Sequence, residues 1–263
     1  MKKIDVSIII VNHNTSSKIK TLVKSIFKLT KHISFEIILI NNTPEDSNIL
    51  KWKDKYRNIL YLENDTKKGF AQNNNIGINK SSGEKVLLLN PDIILKNNSI
   101  YHLYKYLKNN SAIGICGAKL LNLDGSLQYS SRRFPTIKST IIRRTPLRWF
   151  IDSNKITKSH LMKEWNHNHN RQVDWVLGAC MLIDKELIKS IGMLDENFFL
   201  YCEDIDLCYR LKSLGYPTMY ISNAIMYHEH QAESDKKFFS LKTFYHFKGM
   251  FYFIWKHKKY LYD

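Results

Sequence analysis

The sequence predicts an α/β fold, a Rossmann-like, mostly parallel sheet flanked by helices. Three observations carry this. Short apolar runs alternate with stretches of helical period over roughly the first 120 residues. The runs are β-branched and continuous rather than alternating, the mark of strands covered on both faces. Each of three runs then stops at a polar cluster: Asn12-His13-Asn14, Asn41-Asn42-Thr43 and Asn90-Pro91-Asp92.

Val6-Ser7-Ile8-Ile9-Ile10-Val11 reads as the first strand, and Asn12-His13-Asn14-Thr15 breaks it. Ser16 or Ser17 can cap the next helix, where Ile19, Leu22, Val23, Ile26 and Phe27 share one face. Strands are expected at Glu36 to Ile40 and at Ile59 to Leu62. A helix is expected from about Phe70 to Lys80, then a strand at Val86 to Leu89. A helix from about Ser99 to Leu107 and a strand around Ile113 to Cys116 follow. Strands joined by helices pair in parallel, giving an open, doubly wound sheet. Ligands of such sheets bind beyond the carboxyl ends of the strands. The three polar breaks lie at those ends, so one crevice should gather them.

The middle of the chain is different. From Gly125 to Ile151 there is no acidic residue, while Arg132, Arg133, Lys138, Arg143, Arg144 and Arg148 accumulate. Up to about Arg171 the periodicity is weak, which reads as a long, partly mobile loop segment. Val173 to Ile183 reads as one strand. Glu203 to about Leu214 reads as a helix, closed by Gly215 with Pro217 beyond it. Thr218 to Ile221 is strand-like. Lys236 to Tyr260 holds ten aromatics and seven lysines, with no acid until Asp263. On a helical wheel these lysines do not collect on one face, so a clean amphipathic helix is not expected there.

The chain of 263 residues is 44% hydrophobic, enough to bury a sizeable core, and disorder throughout is excluded. The net charge of +16 favours anionic partners: nucleic acid, acidic lipid or phosphorylated substrates. Cys116, Cys180, Cys202 and Cys208 form no C-x-x-C pair, which argues against a zinc or thioredoxin-like site. No leader sequence and no membrane-length apolar run is recognised, so a cytoplasmic protein with free thiols is expected.

Four places can carry chemistry. Asn90-Pro91-Asp92 puts a carboxylate at the crevice mouth, where Mg²⁺ or Mn²⁺ can bind together with substrate phosphates. Alone, the tripeptide reads more readily as a turn. Glu203-Asp204-Ile205-Asp206 crowds three carboxylates at a helix start. Helix-dipole complementarity and a surface Asp206–Arg210 pair explain part of this. They explain Glu203 and Asp204 less well, because Phe198-Phe199-Leu200-Tyr201 suggests a buried approach. A carboxylate there would have a raised pKa and could act as general base. His228 and His230 follow a strand, where a His can complete a metal site. His167 and His169 read as structural or merely exposed. Gly69 opens a helix and permits close backbone approach to a ligand.

Together these pieces resemble glycosyltransferase family 2, and most closely its bacterial rhamnosyltransferase-like members. The ordered matches are Val6 to Asn14, Ile40 to Thr43, Gly69 to Gly77 and Leu88 to Asp92. Arg133-Phe134-Pro135, Trp175 to Cys180, Phe198 to Leu207 and His228 follow. The resemblance covers about residues 4 to 230. It implies a GT-A fold over 1–235, with a nucleotide-sugar-binding half (1–120), an acceptor and catalytic half (121–235), and a basic aromatic tail at 236–263. It places Asn12, Asn14, Asn41, Gly69, Asn74, Asn75 and Asn90 on the donor side, and Trp175, Gly178 and Glu203 on the acceptor side. It makes Asp204 the catalytic base, and Asp92 and His228 the metal ligands. Asn41 and Asn90 are neutral where many members carry Asp. Arg132, Arg133 and Lys68 are basic candidates without a role.

The implied function is an inverting transfer from a nucleotide-diphosphate sugar, dTDP-rhamnose or a UDP-hexose, to a glycan acceptor. A lipid-linked acceptor is implied, with the basic stretch and tail touching anionic membrane at its inner face. A sugar nucleotidyltransferase is the rival, but a glycine-rich basic loop is missing after the first strand. A nucleic-acid-binding protein rests on charge alone and leaves residues 203–206 unexplained.

Overall fold

The computed structural model describes residues 3–43, 56, 58–135, 153–229 and 241–258. The first half follows the expected alternation. Strand β1 (Val6–Asn12) is followed by α1 (Ser16–Leu29), β2 (Phe35–Asn41), β3 (Ile59–Glu63), α2 (Phe70–Lys80) and β4 (Lys85–Leu89). Then come β5 (Ile93–Leu95), α3 (Ser99–Asn109), β6 (Ile115–Leu121), β7 (Leu127–Gln128) and β8 (Ser131–Arg132). The second half holds α4 (Ser153–His160), β9 (Arg171–Val173), β10 (Trp175–Val176), β11 (Cys180–Asp184) and α5 (Lys185–Ser190). It ends with α6 (Glu203–Ser213), β12 (Thr218–His228) and α7 (Leu241–Lys256).

The main sheet runs β3-β2-β1-β4-β11-β6-β12-β5. Strands β3, β2, β1 and β4 are parallel, with Asn12 level with Asn41. The continuous apolar run of β1 divides between two cores. Ile8 and Ile10 face Ile19, Leu22 and Ile26 of α1 and Leu103 of α3. Ile9 faces Ala71 and Ile78 of α2 and, further along, Ile205 and Leu211 of α6. Side chains alternate across a strand, so a strand sandwiched by helices must be apolar at nearly every position.

Several expectations need correction. The segment 173–183 is three strands, not one. Its backbone groups are engaged elsewhere: Leu177 N–H donates to Ser130 O, and Gly178 N–H to the Asp204 carboxylate. Strand β11 lies antiparallel between β4 and β6, and so interrupts the parallel order. Strand β12 runs seven residues past the expected Ile221, through a register shift between Ile221 and Ile225. Short strands β7 and β8 and helix α4 occupy part of the segment read as loop. Lys138, Arg143, Arg144, Arg148 and His230 lie outside the described residues.

The tail also departs from expectation, since Leu241–Lys256 is a helix. Aromatic packing organises it rather than segregated charge: Met250 and Phe253 are buried. The Asp206–Arg210 pair is present at 2.8 Å, but Asp206 is fully buried rather than on the surface. His167 is a core residue, stacked on Trp165 at 4.1 Å. The four cysteines are buried thiols that form no disulfide. No helix among the described residues is long and apolar enough to cross a membrane.

Candidate active site

The crevice floor is built from amides. Asn12 and Asn41 end adjacent strands, so their side chains meet, and Asn12 Nδ2 donates to Asn41 Oδ1 at 2.9 Å. Asn12 Oδ1 accepts from the N–H and hydroxyl of Thr15, which turns the chain into α1. Both asparagines are almost fully buried. They shape the floor, while Asn14, exposed in the left-handed region at φ 58°, stands above it. Asn42 is the hub of a second group. Its Oδ1 accepts from Lys68 N and Asn64 Nδ2, and Asn64 also donates to Asn73 Oδ1. This fixes the approach to α2.

Gly69 earns its place by contact, not by unusual φ. A Cβ there would lie 2.8 Å from the Phe199 carbonyl oxygen. That carbonyl accepts the Phe70 N–H at 3.0 Å, so the first donor of α2 already has a protein partner. Asn74 donates to the Phe70 carbonyl. Asn75 turns away from the donor-side amides. It donates to Leu194 O and Glu196 Oε1 and accepts from Leu194 N, which anchors the 194–196 turn.

Strand β4 delivers Asn90-Pro91-Asp92 to the rim, and Asn90 N–H donates to Ala179 O. Short β5 then pairs with the end of β12, placing His228 level with Ile93. The Asp92 carbonyl accepts the Glu229 N–H at 3.0 Å, locking the two segments. As a result His228 Nε2 lies 3.3 Å from Asp92 Oδ1. Asp92 Oδ1 is buried and accepts no hydrogen bond. The pair is within charge range but not aligned as a hydrogen bond. Burial raises the Asp92 carboxyl pKa, but His228, a backbone N–H and Lys18 together outweigh it and the net shift is downward.

Gln128 sets the imidazole. His228 Nδ1 is 2.6 Å from Gln128 Oε1, and Gln128 Nε2 donates to Asn122 Oδ1. An amide oxygen only accepts, so Nδ1 carries the proton and the Nε2 side is turned to Asp92. A buried carboxylate oxygen beside an imidazole nitrogen is a donor set suited to a divalent cation. Among the described residues no third His, Cys, Asp or Glu joins them. The other ligands of a cation held there would have to be oxygens from elsewhere, such as water or phosphate. Replacing Gln128 by Met is expected to weaken Mn²⁺ binding about 10- to 100-fold while the fold persists. A Mn²⁺ titration followed by electron paramagnetic resonance checks this, and unchanged affinity would remove Gln128 from the site.

Helix α6 carries the other carboxylates. Asp204 Oδ2 accepts from Gly178 N–H at 3.0 Å, and Oδ1 from Ile205 N–H at 2.9 Å. Gly178 and Ala179 are consecutive, so one stretch of backbone ties Asp204 to Asn90. Burial is the largest influence on Asp204 and raises its pKa; the two N–H groups and Arg132 pull it back only in part. Burial and the charge of Asp204 push Glu203 much further up. Asp204 accepts two N–H groups while Glu203 Oε2 is buried without a partner, so the charge of the pair is better held on Asp204. Arg132 spreads its guanidinium over Trp175, 5.3 Å from the ring centroid, while Trp175 Nε1 donates to Arg133 O. Arg133 itself pairs with exposed Glu164. The charge of Arg132 acts on Asp204 and lowers its pKa.

The start of α6 is strained. Tyr201 and Cys202 both have φ near 70°, and each such non-glycine residue costs about 1–2 kcal/mol. Helix α7 covers this turn, with Gly249 so close that a Cβ would lie 3.0 Å from Tyr201 O. Asp206, two residues on from Asp204 and so on the other side of α6, accepts from Arg210 (2.8 Å), Lys256 (2.8 Å) and His257 (2.7 Å). Lys256 also reaches Asp195 at 2.7 Å. Burial acts to raise both carboxyls, but these partners outweigh it, and Asp195 falls to about 2. Their stabilisation is complete above the ordinary carboxylate pKa and is lost as pH falls below it towards the lowered folded value, about 2 for Asp195. Asp206→Ala leaves two cations, Arg210 and Lys256, together with His257 and no shared acceptor, and is expected to cost about 3 kcal/mol. Urea unfolding at neutral pH measures it, and a loss below about 1 kcal/mol would contradict the clamp.

Sequence reasoning did not find Gln128, Asn64 or the Lys256–Asp206 contact. Lys18, whose charge also lowers the Asp92 pKa, was missed as well. None carried a motif, because each acts on a partner distant in sequence.

Comparison with known proteins gives the family. The description "Glycosyltransferase like family 2" matches residues 4–243. Rhamnosyltransferase WbbL of Escherichia coli K12 is 30% identical over 265 residues, covering 95% of this chain and 92% of that protein. The low-salt glycan biosynthesis hexosyltransferase Agl10 of Haloferax volcanii is 30% identical over 212 residues, or 79% of this chain. The match spans 62% of that relative's own length. The N-acetylglucosaminyl-diphospho-decaprenol L-rhamnosyltransferase of Mycobacterium tuberculosis is 29% identical over 149 residues, covering 57% of this chain and 48% of its own. A solved structure of GalNAc-T7 with UDP, GalNAc and Mn²⁺ superposes with a TM-score of 0.71 at 17% identity, covering 99% of this chain and 50% of the other. At that identity the likeness speaks to the fold, which is of the expected GT-A type. With nearly the whole length matched by one family, the chain belongs to glycosyltransferase-like family 2.

Proposed function

We propose that the protein is an inverting, metal-dependent glycosyltransferase. It moves a sugar, rhamnose or a hexose, from a nucleoside-diphosphate donor to a lipid-linked glycan acceptor in cell-surface polysaccharide synthesis. The observation that carries this is the pairing of buried Asp92 Oδ1 with His228, tied through Asn90 and the Gly178–Ala179 backbone to Asp204. Asn14 and the floor set by Asn12 and Asn41 receive the nucleotide. Asn74, Asn90 and the turn at Gly69 border the sugar and diphosphate. Asp92 and His228 would hold Mg²⁺ or Mn²⁺, which neutralises the charge growing on the diphosphate.

Asp204 accepts the proton of the acceptor hydroxyl as that oxygen bonds to the anomeric carbon. The bond from that carbon to the diphosphate oxygen breaks on the opposite side, so configuration inverts. Gly178 and Ile205 hold the carboxylate in place, and Trp175 with Arg132 walls the acceptor side. Protonated Glu203 adds no second charge beside the base. The family favours this reading over nucleotidyl transfer, and the turn after β1 has no glycine-rich basic loop.

The acceptor class draws on the Mycobacterium relative, whose name includes a diphospho-decaprenol carrier. The test is to incubate dTDP-rhamnose and UDP-hexoses with a diphospholipid-linked sugar and read the anomeric configuration of the product. Transfer with inversion is expected; retention would overturn the single-displacement role of Asp204.

A further inference from the structure

Helix α7 buries one side and leaves aromatic rings bare on the other. Gly249, Met250 and Phe253 are buried towards α6 and its strained first turn. Phe244, Lys248, Phe251, Trp255 and Lys258 are exposed. Their alternating spacing of four and three residues makes one stripe about 21 Å long. Phe244, Phe251 and Trp255 are 61%, 72% and 65% exposed. The water-facing side of a surface helix ordinarily carries polar groups. Here it carries three large rings, with one lysine among them and one beyond. No Asp or Glu occurs from Lys236 to Tyr262.

We propose that this stripe is a membrane-docking surface, fitted to the headgroup region of a bilayer containing anionic lipid. The proposal rests on the reading of the acceptor as lipid-linked and says which part of the chain meets the lipid. Phe and Trp rings settle at the boundary of headgroups and acyl chains. Lysines beside them reach lipid phosphates while their stems lie along the apolar layer. A second copy of the chain fits less well. A specific dimer buries about 800 Å² on each partner, more than one short stripe presents. Stripe against stripe would also set lysine near lysine with no acid between.

Its place in the fold gives the surface a use. Tyr245 of α7 packs on half-exposed Phe199, ring centroids 4.9 Å apart. Phe199 in turn holds the start of α2 at Gly69. The docked face therefore runs up to the rim of the crevice, and an acceptor on a lipid carrier meets Asp204 without leaving the bilayer surface.

The test is cosedimentation of the full chain with vesicles of phosphatidylcholine alone or mixed with phosphatidylglycerol. The mixed vesicles are expected to bind the protein, and salt to weaken the binding. The F251E/W255E double variant changes only exposed side chains and should fold. Its affinity is expected to fall on the order of a hundredfold, with transfer to a water-soluble acceptor unchanged. Vesicle binding equal to wild type in the double variant would overturn the proposal. So would absence of binding to the mixed vesicles, including the case in which the stripe instead forms a dimer that F251E/W255E abolishes. Binding lost in the variant, with no transfer by either protein, would uphold the surface and overturn the transferase reading.

Discussion

Asp204→Asn is expected to lower turnover by about 10²- to 10⁴-fold, the range lost when a positioned general base is removed. Donor affinity should stay within a few-fold of wild type. The substitution is nearly isosteric. An Asn oxygen can still accept the Gly178 N–H, so the link from α6 to the lead-in of β11 survives. What disappears is the group that takes the acceptor proton. The pH profile gives a second check. Burial lifts the folded pKa of Asp204 above 3.8, and only the ionised form is a base. Activity should therefore rise with pH along an acid limb placed above the ordinary carboxylate value. Glu203→Gln should keep most of the turnover, since burial and the charge of Asp204 both favour the protonated form of Glu203. Near-normal turnover in Asp204→Asn would give the base role to another group.

Asp92→Ala is expected to lower kcat/KM by roughly 100-fold or more, equivalent to about 3 kcal/mol of lost charge stabilisation. It should also remove the dependence of donor binding on Mg²⁺ or Mn²⁺. The fold should hold, because the contact joining β5 to β12 here is the Asp92 backbone carbonyl, which alanine keeps. Calorimetric titration of the donor, with metal and with chelator, reads both effects. Donor binding that stays metal-dependent at wild-type strength in Asp92→Ala would exclude this carboxylate as a ligand.

Much of the nucleotide-side half was legible because its chemistry is local. β-branched runs ending in asparagine clusters identify parallel strands and the crevice beyond them. The strand-end positions of Asn12, Asn41 and Asp92 follow from that pattern alone. What was not legible depends on contacts between distant residues. Periodicity shows that Cys180–Asp184 is a buried strand but not its direction. The polar Ser222-Asn223 step hid the continuation of β12. The i,i+4 spacing of Asp206 and Arg210 identified their pair. It did not reveal burial, because Lys256 and His257 arrive some fifty residues later. Asn75 lies in the right motif, yet its amide is used by the turn at Leu194. Helix α7 was not legible because its charge is not segregated to one face; its order comes from which aromatic rings find cover.

The central claim is that the Asp92–His228 pair binds a nucleoside-diphosphate sugar through a divalent cation. Its most direct test is a donor panel read by thermal shift, in wild type and Asp92→Ala, with Mn²⁺, Mg²⁺ or chelator. The account predicts that one nucleotide sugar raises the Tm of wild type only with metal present, and that it does not do so for Asp92→Ala. A donor that stabilises both proteins equally in chelator would contradict it.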